Sequence, residues 1–410
     1  MVRHIQSQST CSRVLGATMT KDSMFYDSTF LFQLNVTRRC NLRCEHCYIS
    51  SEKKDVSPDW DADDMKHVVG GIRDHMLSDW NGRRVYTQVE IHVIGGEPTE
   101  LGEDYFITVL PFIKKILSDL PHKVKLVLVT NLLTKQALEI AKMFDMVQTS
   151  YEIGTRLKKK RHMEMWLSNV QEMHKHFREN GDGALGITSA ITKNIVEYGA
   201  RNYIDLLISW GFKNVHLGFF IPSGDGETFE EMCNPGHEDT SKFLIEAFDA
   251  YLELKSSIPD LYVNPCESWI RSIKENRSSD DILCPIISGS LDIDGDGETI
   301  SCIEKGGVLG YKSNGNVLER IKVISLDDEV HHYQTNISDI LQSPSYRREV
   351  AMASMLPKSC IGCEFSDLCR GNCSVLHSQW NGAGECPGYK KFLTHVKSHV
   401  NSEAMQEELV

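Results

Sequence analysis

Short apolar runs alternate with amphipathic stretches from about residue 29 to about residue 260. That alternation is the signature of repeated βα units and a parallel sheet. The predicted strands are "TFLFQLNV", "QVEIHVIG", "KVKLVLVT", "DMVQTSY", "ALGITSAI" and "NVHLGFFI". Between them the spacing predicts helices over "DADDMKHVVGGIRDHMLSDW", "DYFITVLPFIKKILSDL", "TKQALEIAKMF", "RHMEMWLSNVQEMHKHF" and "NIVEYGARNYIDLLISW", several opening on an Asp, Thr or Asn cap. Six such units fall short of the eight that close a full TIM barrel. The expected fold class is therefore α/β: a partial (β/α)6 TIM-like barrel, open on one side, with its site in the loops at the carboxyl ends of the strands. After the helix "SKFLIEAFDAYLELKSS" the chain turns cysteine-rich and turn-rich. This divides it into an N-terminal extension (1–28), the barrel (29–262), a cysteine-rich domain (263–395) and a polar tail (396–410) expected to fray.

Composition narrows the partners. A formal charge of -13 over 410 residues, with 41 % hydrophobic content, suits a globular protein and argues against nucleic acid, whose binders concentrate positive charge. The first residues lack a secretory apolar core, and no stretch reaches the roughly 18 apolar residues a membrane helix needs. The reading is a cytoplasmic chain with no membrane partner. Thirteen cysteines in such a compartment point to metal or redox chemistry rather than disulfides. Only Cys11, Cys233 and Cys266 fall outside an early group and a late one.

The early group is Cys40, Cys44 and Cys47, a CxxxCxxC just past the first strand. A structural zinc site requires four ligands and would have to recruit a distant one; His46 is awkward, being adjacent to Cys47. Three thiolates on a [4Fe-4S] cubane instead leave one iron open to chelate a ligand. The second strand ends in "VIGGEPTE", where Gly95 and Gly96 let the backbone approach a ligand closely and Glu97 can accept from an ammonium group. Alone, that stretch reads equally well as a tight turn.

Together these motifs resemble the radical S-adenosylmethionine (radical SAM) superfamily, whose signature is CxxxCxΦC with Φ usually aromatic; here Φ is His46. The resemblance implies Cys40, Cys44 and Cys47 as ligands of a cluster whose open iron binds the methionine moiety of SAM, with Glu97 of the Gly95–Gly96 loop holding its amino group. Weaker matches to SAM-contacting positions are Asn131, after Thr130, and Ser150 with a downstream arginine. Arg161 is taken for that arginine, in competition with Arg156, while the surrounding Lys158–Arg161 run reads mainly as a solvated helix face.

In the late group, Cys284 is followed after twelve residues by Gly297 and after four more by Cys302; then come Cys360, Cys363, Cys369, Cys373 and Cys386. "CIGC" and "CRGNC" would also serve a zinc ribbon. The spacing is similar to the SPASM extension of radical SAM enzymes, which carries two auxiliary [4Fe-4S] clusters. The resemblance implies Cys360, Cys363, Cys369 and Cys386 on an outer cluster and Cys284, Cys302 and Cys373 on an inner one. The fourth ligand of the inner one is either Cys266 or none. Within this stretch "DIDGDGETISCI" begins like a calcium loop, but Ile303 stands where that loop needs a bidentate glutamate.

The implied enzyme uses SAM and three [4Fe-4S] clusters, fed by a donor such as flavodoxin or ferredoxin, to oxidise a peptide or small-molecule substrate. A maturase that modifies a ribosomal peptide is the first reading, and an aminoglycoside-type dehydrogenase or epimerase the second. A noncatalytic iron-sulfur or zinc scaffold is the reading from another class. Ile303 stands where sulfatase-maturing members carry an acidic residue, with Glu304 one position later. No catalytic acid or base is assigned: Glu304, Tyr311 and His216 lie in or near the expected site, and each is as readily a structural residue.

Overall fold

The computed structural model describes residues 28–54, 58–78, 86–181, 183–278, 283–306, 313–324, 330–377, 386 and 389–407. Nearly all of the expected N-terminal extension, Tyr311 and the last three residues of the tail lie outside them. All six expected strands form: β1 (Thr29–Thr37), β2 (Gln88–Gly95), β3 (Lys123–Val129), β4 (Met146–Ser150), β5 (Ala184–Ile191) and β6 (Asn214–Phe219). They pair in sequence order and parallel, so every carboxyl end opens on the same rim. In β1 burial alternates up to Gln33, and every position from Leu34 to Thr37 is buried. This is the pattern of a strand covered on both faces where it nears the rim.

The sheet does not stop at residue 262. A short β7 (Tyr262–Asn264) adds parallel to β6, and β8 (Ser290–Ile293) adds parallel to the other side of β1, followed by an antiparallel β9 (Thr299–Ile300). The order is β7-β6-β5-β4-β3-β2-β1-β8-β9. The cysteine-rich region therefore contributes strands to the same sheet as the barrel. A separate hairpin joins β10 (Arg320–Ile324) to β11 (Val330–Gln334).

Helices cover the outside. Ala62–Leu77 starts in a capping box formed by Asp61 and Asp64 and buries Met65, Val68, Val69 and Ile72. Lys160–Asn180 inserts Trp166, Val170 and Met173 at helical spacing and ends on left-handed Gly181. The stretch read as one helix from Asn194 is two, Lys193–Tyr198 and Ala200–Ser209, because Gly199 sits at φ 87° and breaks the chain direction. Residues 396–407, expected to fray, lie in the helix Tyr389–Glu407, which packs against His237–Ser257 and Cys266–Glu275. Its Phe392, Leu393, Val396 and Val400 are buried, each such side chain being worth about 1.5–3 kcal/mol. The polar residues between them had hidden that apolar face.

Candidate functional site

The rim above the parallel strands gathers the loop after β1 and those after β2, β3 and β4. Cys40, Cys44 and Cys47 follow β1, with Cys47 N–H donating to the Cys44 carbonyl at 3.3 Å and Leu42 N–H to the Cys40 sulfur at 3.4 Å. Burial pushes the Cys40 thiol up to about 12, with Glu97, Cys44 and Cys47 adding to it, and the Cys44 thiol up to about 11 against the pull of Arg156. The three sulfurs thus lie within electrostatic reach of one another in a desolvated loop. Cys40 and Cys44 so placed hold their protons until a cationic centre replaces them. Among the described residues no three His, Cys, Asp or Glu side chains converge as ligands of one metal ion. A cubane makes a different demand, since each cysteine binds its own iron, and this donor set fits it.

The glycines after β2 serve the cysteine loop directly. A Cβ on Gly95 would lie 2.1 Å from the Thr37 carbonyl oxygen, and one on Gly96 within 2.2 and 2.3 Å of the Arg38 and Arg39 oxygens. Their absence of side chains lets Gly96 N–H reach the Thr37 carbonyl at 2.8 Å and Glu97 N–H the Arg39 carbonyl at 2.7 Å. Close approach is required here, but where the sequence reading expected a ligand, what approaches is the backbone of the cysteine loop. Gly96→Ala is expected to cost about 1–3 kcal/mol and to lower iron uptake, whereas Gly70→Ala, in open space on a helix, should stabilise by about 0.5–1 kcal/mol. Thermal unfolding of the two variants measures the contrast.

Glu97 is fully buried and its carboxylate is built into the rim. Oε1 accepts from Thr99 N–H (3.2 Å), the Thr99 hydroxyl (2.6 Å) and the Thr130 hydroxyl (2.7 Å); Oε2 accepts from Asn131 N–H (2.7 Å). Burial raises its pKa and these donors oppose the rise. Oε1 is saturated, while Oε2 keeps acceptor capacity for one further donor. Asn131, also buried, donates from Nδ2 to Asn41 at 2.7 Å and lies 4.0 Å from the Cys40 sulfur, so β3 is tied to the cysteine loop.

Beyond β4 the picture departs from the expectation about arginine. Ser150 is half-buried at the strand end. Arg161 is exposed on the helix Lys160–Asn180. Arg156 instead reaches inward: Nε donates to Glu152 Oε2 at 2.6 Å and Nη2 lies 3.2 Å from His46 Nε2. His46 is buried, with Nδ1 2.8 Å from the Thr155 hydroxyl and Nε2 2.9 Å from Glu152. Burial would raise Glu152, but Arg156 and then His46 pull it down to about 2. Its contribution to folding is therefore complete above the ordinary carboxylate pKa of about 4.3 and is lost as pH falls toward about 2. The stability gap between the parent protein and Glu152→Gln, followed by urea unfolding, should close over that window.

The late cysteines fall into two sets. Cys302 is raised by burial and by the neighbouring Asp292, Cys373, Glu304 and Cys284; Cys373 is pushed up to about 12 by burial and Cys284. Separately, burial and then Cys386, Cys360 and Cys363 push Cys369 up to about 12. Cys266 is fully buried at the start of Cys266–Glu275, and the charge acting on it is that of Asp249. Two carboxyls adjoin the first set. Burial pushes both Asp292 and Glu304 up to about 7, with Gln33 Nε2 3.0 Å from the former and the Ser223 hydroxyl donating to the latter at 3.0 Å. The calcium-like loop is no calcium cradle, because Asp294 is engaged by Arg38 and Gly297 makes the turn at φ 81°. His216 pairs through Nδ1 with Asn264 at 2.9 Å.

Glu152, Lys54 and Asp225 had no sequence signal, and Asp292 had only that of the calcium-like loop it opens. Arg156 had one, its place two positions after a glycine following the β4 serine, but spacing alone did not separate it from Arg161.

No protein-family model and no curated sequence matches this chain. Solved structures do. His-tagged anSMEcpe with bound AdoMet superposes with a TM-score of 0.67 at 16 % identity, covering 91 % of this chain and 98 % of that one. Native anSMEcpe with bound AdoMet and the Cp18Cys peptide gives 0.67 at 16 % identity over 92 % and 99 %. SuiB of Streptococcus suis bound to its precursor peptide SuiA gives 0.55 at 14 % identity over 88 % and 74 %. At 14–16 % identity, what this chain shares with anSMEcpe and SuiB is the fold.

Proposed function

We propose that this chain is a radical SAM enzyme that oxidatively modifies or cross-links a side chain of a ribosomal peptide. The observation that carries the reading is the joining of the three-cysteine loop after β1 to the Glu97 loop, backbone to backbone, in a fold shared with proteins that bind AdoMet. A [4Fe-4S] cluster on Cys40, Cys44 and Cys47 would supply one electron to bound SAM, giving methionine and a 5'-deoxyadenosyl radical that takes a hydrogen atom from the substrate.

The chain's own residues then have definite tasks. Glu97 Oε2 takes the SAM ammonium, Gly95 and Gly96 shape the loop, and Asn131 fixes the β3 end against Cys40. His46, held by Thr155, Glu152 and Arg156, presents a ring beside the site; Ser150 at the β4 end is a further candidate for a SAM contact, with the inward-facing Arg156 rather than the exposed Arg161 as the arginine beside it. Cys284, Cys302 and Cys373 would hold an inner auxiliary cluster, and Cys360, Cys363, Cys369 and Cys386 an outer one. Clusters held there would offer an acceptor for the electron that an oxidised substrate gives up, and a donor of the flavodoxin or ferredoxin type in the cytoplasm would supply the electron for SAM cleavage. Among the described residues no helix is long and apolar enough to cross a membrane. The peptide class is supported by anSMEcpe and SuiB, both seen with peptides bound.

Anaerobic reduction with dithionite in the presence of SAM, followed by chromatography for 5'-deoxyadenosine, tests the reading. Nucleoside in the reduced sample alone supports it. None, at full iron loading and with candidate peptides present, favours a noncatalytic iron-sulfur scaffold.

A further inference from the structure

Lys54 ends the short helix Ser51–Lys54, seven residues past the last cysteine of the loop, and is only 1 % exposed. A buried ammonium persists only where it is paired. One partner is Asp225, whose Oδ2 lies 2.9 Å from Nζ; the other is the negative charge that a Cys47 thiolate would place beside it. Asp225 cannot swing away, because its other contacts come from the same helix: Ser51 N–H at 2.7 Å and the Ser51 hydroxyl at 2.8 Å.

Backbone fixes the arrangement from both sides. Gly226 N–H donates to the Cys47 carbonyl at 3.0 Å. Gly224, at φ 57°, lies so close to the cysteine loop that a Cβ would meet the Tyr48 carbonyl oxygen at 2.1 Å. The segment after β6 is thus laid against the cysteine loop and delivers a carboxylate that holds one cation beside Cys47.

A charged N–H donor on a cluster thiolate stabilises the more negative, reduced cluster, and such outer contacts are a principal protein control of potential. We propose that Lys54, anchored by Asp225, donates to the Cys47 thiolate and raises the reduction potential of the cluster bound there, which makes it the positioning residue that sets how readily this chain's cluster accepts an electron. This rests on the assignment of Cys40, Cys44 and Cys47 as cluster ligands.

The test is a potentiometric titration of the reconstituted full chain followed by EPR, reading the component whose signal changes on adding SAM. In Lys54→Met the reduced-to-oxidised ratio at fixed potential should fall at least tenfold, about 59 mV for one electron. In Asp225→Asn, which removes the countercharge and leaves the cation, the shift should have the opposite sign. Lys54→Arg should stay near the parent value. An unchanged midpoint in Lys54→Met overturns the proposal. If that variant does not load iron, the absence of an upward shift in Asp225→Asn overturns it instead, and iron loss in both variants makes the pair an assembly brace rather than a tuner. A parent protein without any SAM-sensitive component fails the underlying cluster assignment, visible before any variant is made.

Discussion

Replacing Cys44 by alanine is expected to abolish 5'-deoxyadenosine formation and to leave about two thirds of the parent iron, since under the proposed assignment one of three cubanes would lose a ligand. Cys44 is buried in the loop, its carbonyl receives the Cys47 N–H, and its thiol faces both Cys47 and Arg156. With two thiols left, no neighbour can take its place: His46 is already committed at both ring nitrogens. Cys233→Ala is the matched control, a fully buried cysteine whose charged neighbours are Glu45, Lys158, Lys193 and Glu152 rather than other thiols. Iron analysis and product chromatography on the two variants decide the matter. Full iron and full nucleoside yield in Cys44→Ala would remove the loop from the chemistry.

The second large effect is at Glu97, and there the choice of substitution separates folding from binding. Glu97→Ala leaves four buried donors without an acceptor, on Thr99, Thr130 and Asn131, at about 1–3 kcal/mol for each group orphaned. The rim should loosen and the melting temperature fall. Glu97→Gln keeps the shape but loses the charge that Oε2 offers to an ammonium. A charged hydrogen bond contributes about 1.5–3 kcal/mol, so SAM should bind about 10- to 100-fold more weakly to a protein that still loads iron. Calorimetric titration with SAM reads this directly, and an unchanged Kd would move the ammonium site elsewhere.

What was legible in the sequence follows physical lines. The six strands announce themselves because each is a short run of apolar and β-branched residues, several alternating with polar ones as in QVEIHVIG, bounded by turn and cap residues. β7 and β8 have three and four residues and sit among cysteines and turns, too short for any periodicity to register. Gly199 lies inside a good helical pattern, and only its positive φ shows that the pattern is broken there. At the site, the cysteines and the Gly95–Gly96–Glu97 loop are legible because their spacing is local. The Lys54–Asp225 pair joins residues 171 positions apart and left no trace. Arg156 and Arg161 look alike in the sequence; a single turn of chain decides that one is drawn to Glu152 and the other faces solvent.

The placement of β8 beside β1 bears on whether the chain can be cut into modules. β1, which leads into Cys40, is an interior strand, flanked by β2 and by the tetrapeptide Ser290–Ile293 with Leu31, Phe32, Gln33 and Leu34 in register against it. A fragment ending near residue 262 would leave that strand as a raw apolar edge, open to pairing with another copy of itself. The cysteine-rich region is thus also a seal on the barrel, and any exchange of it between proteins must carry over the β8 register or forfeit the solubility of what remains.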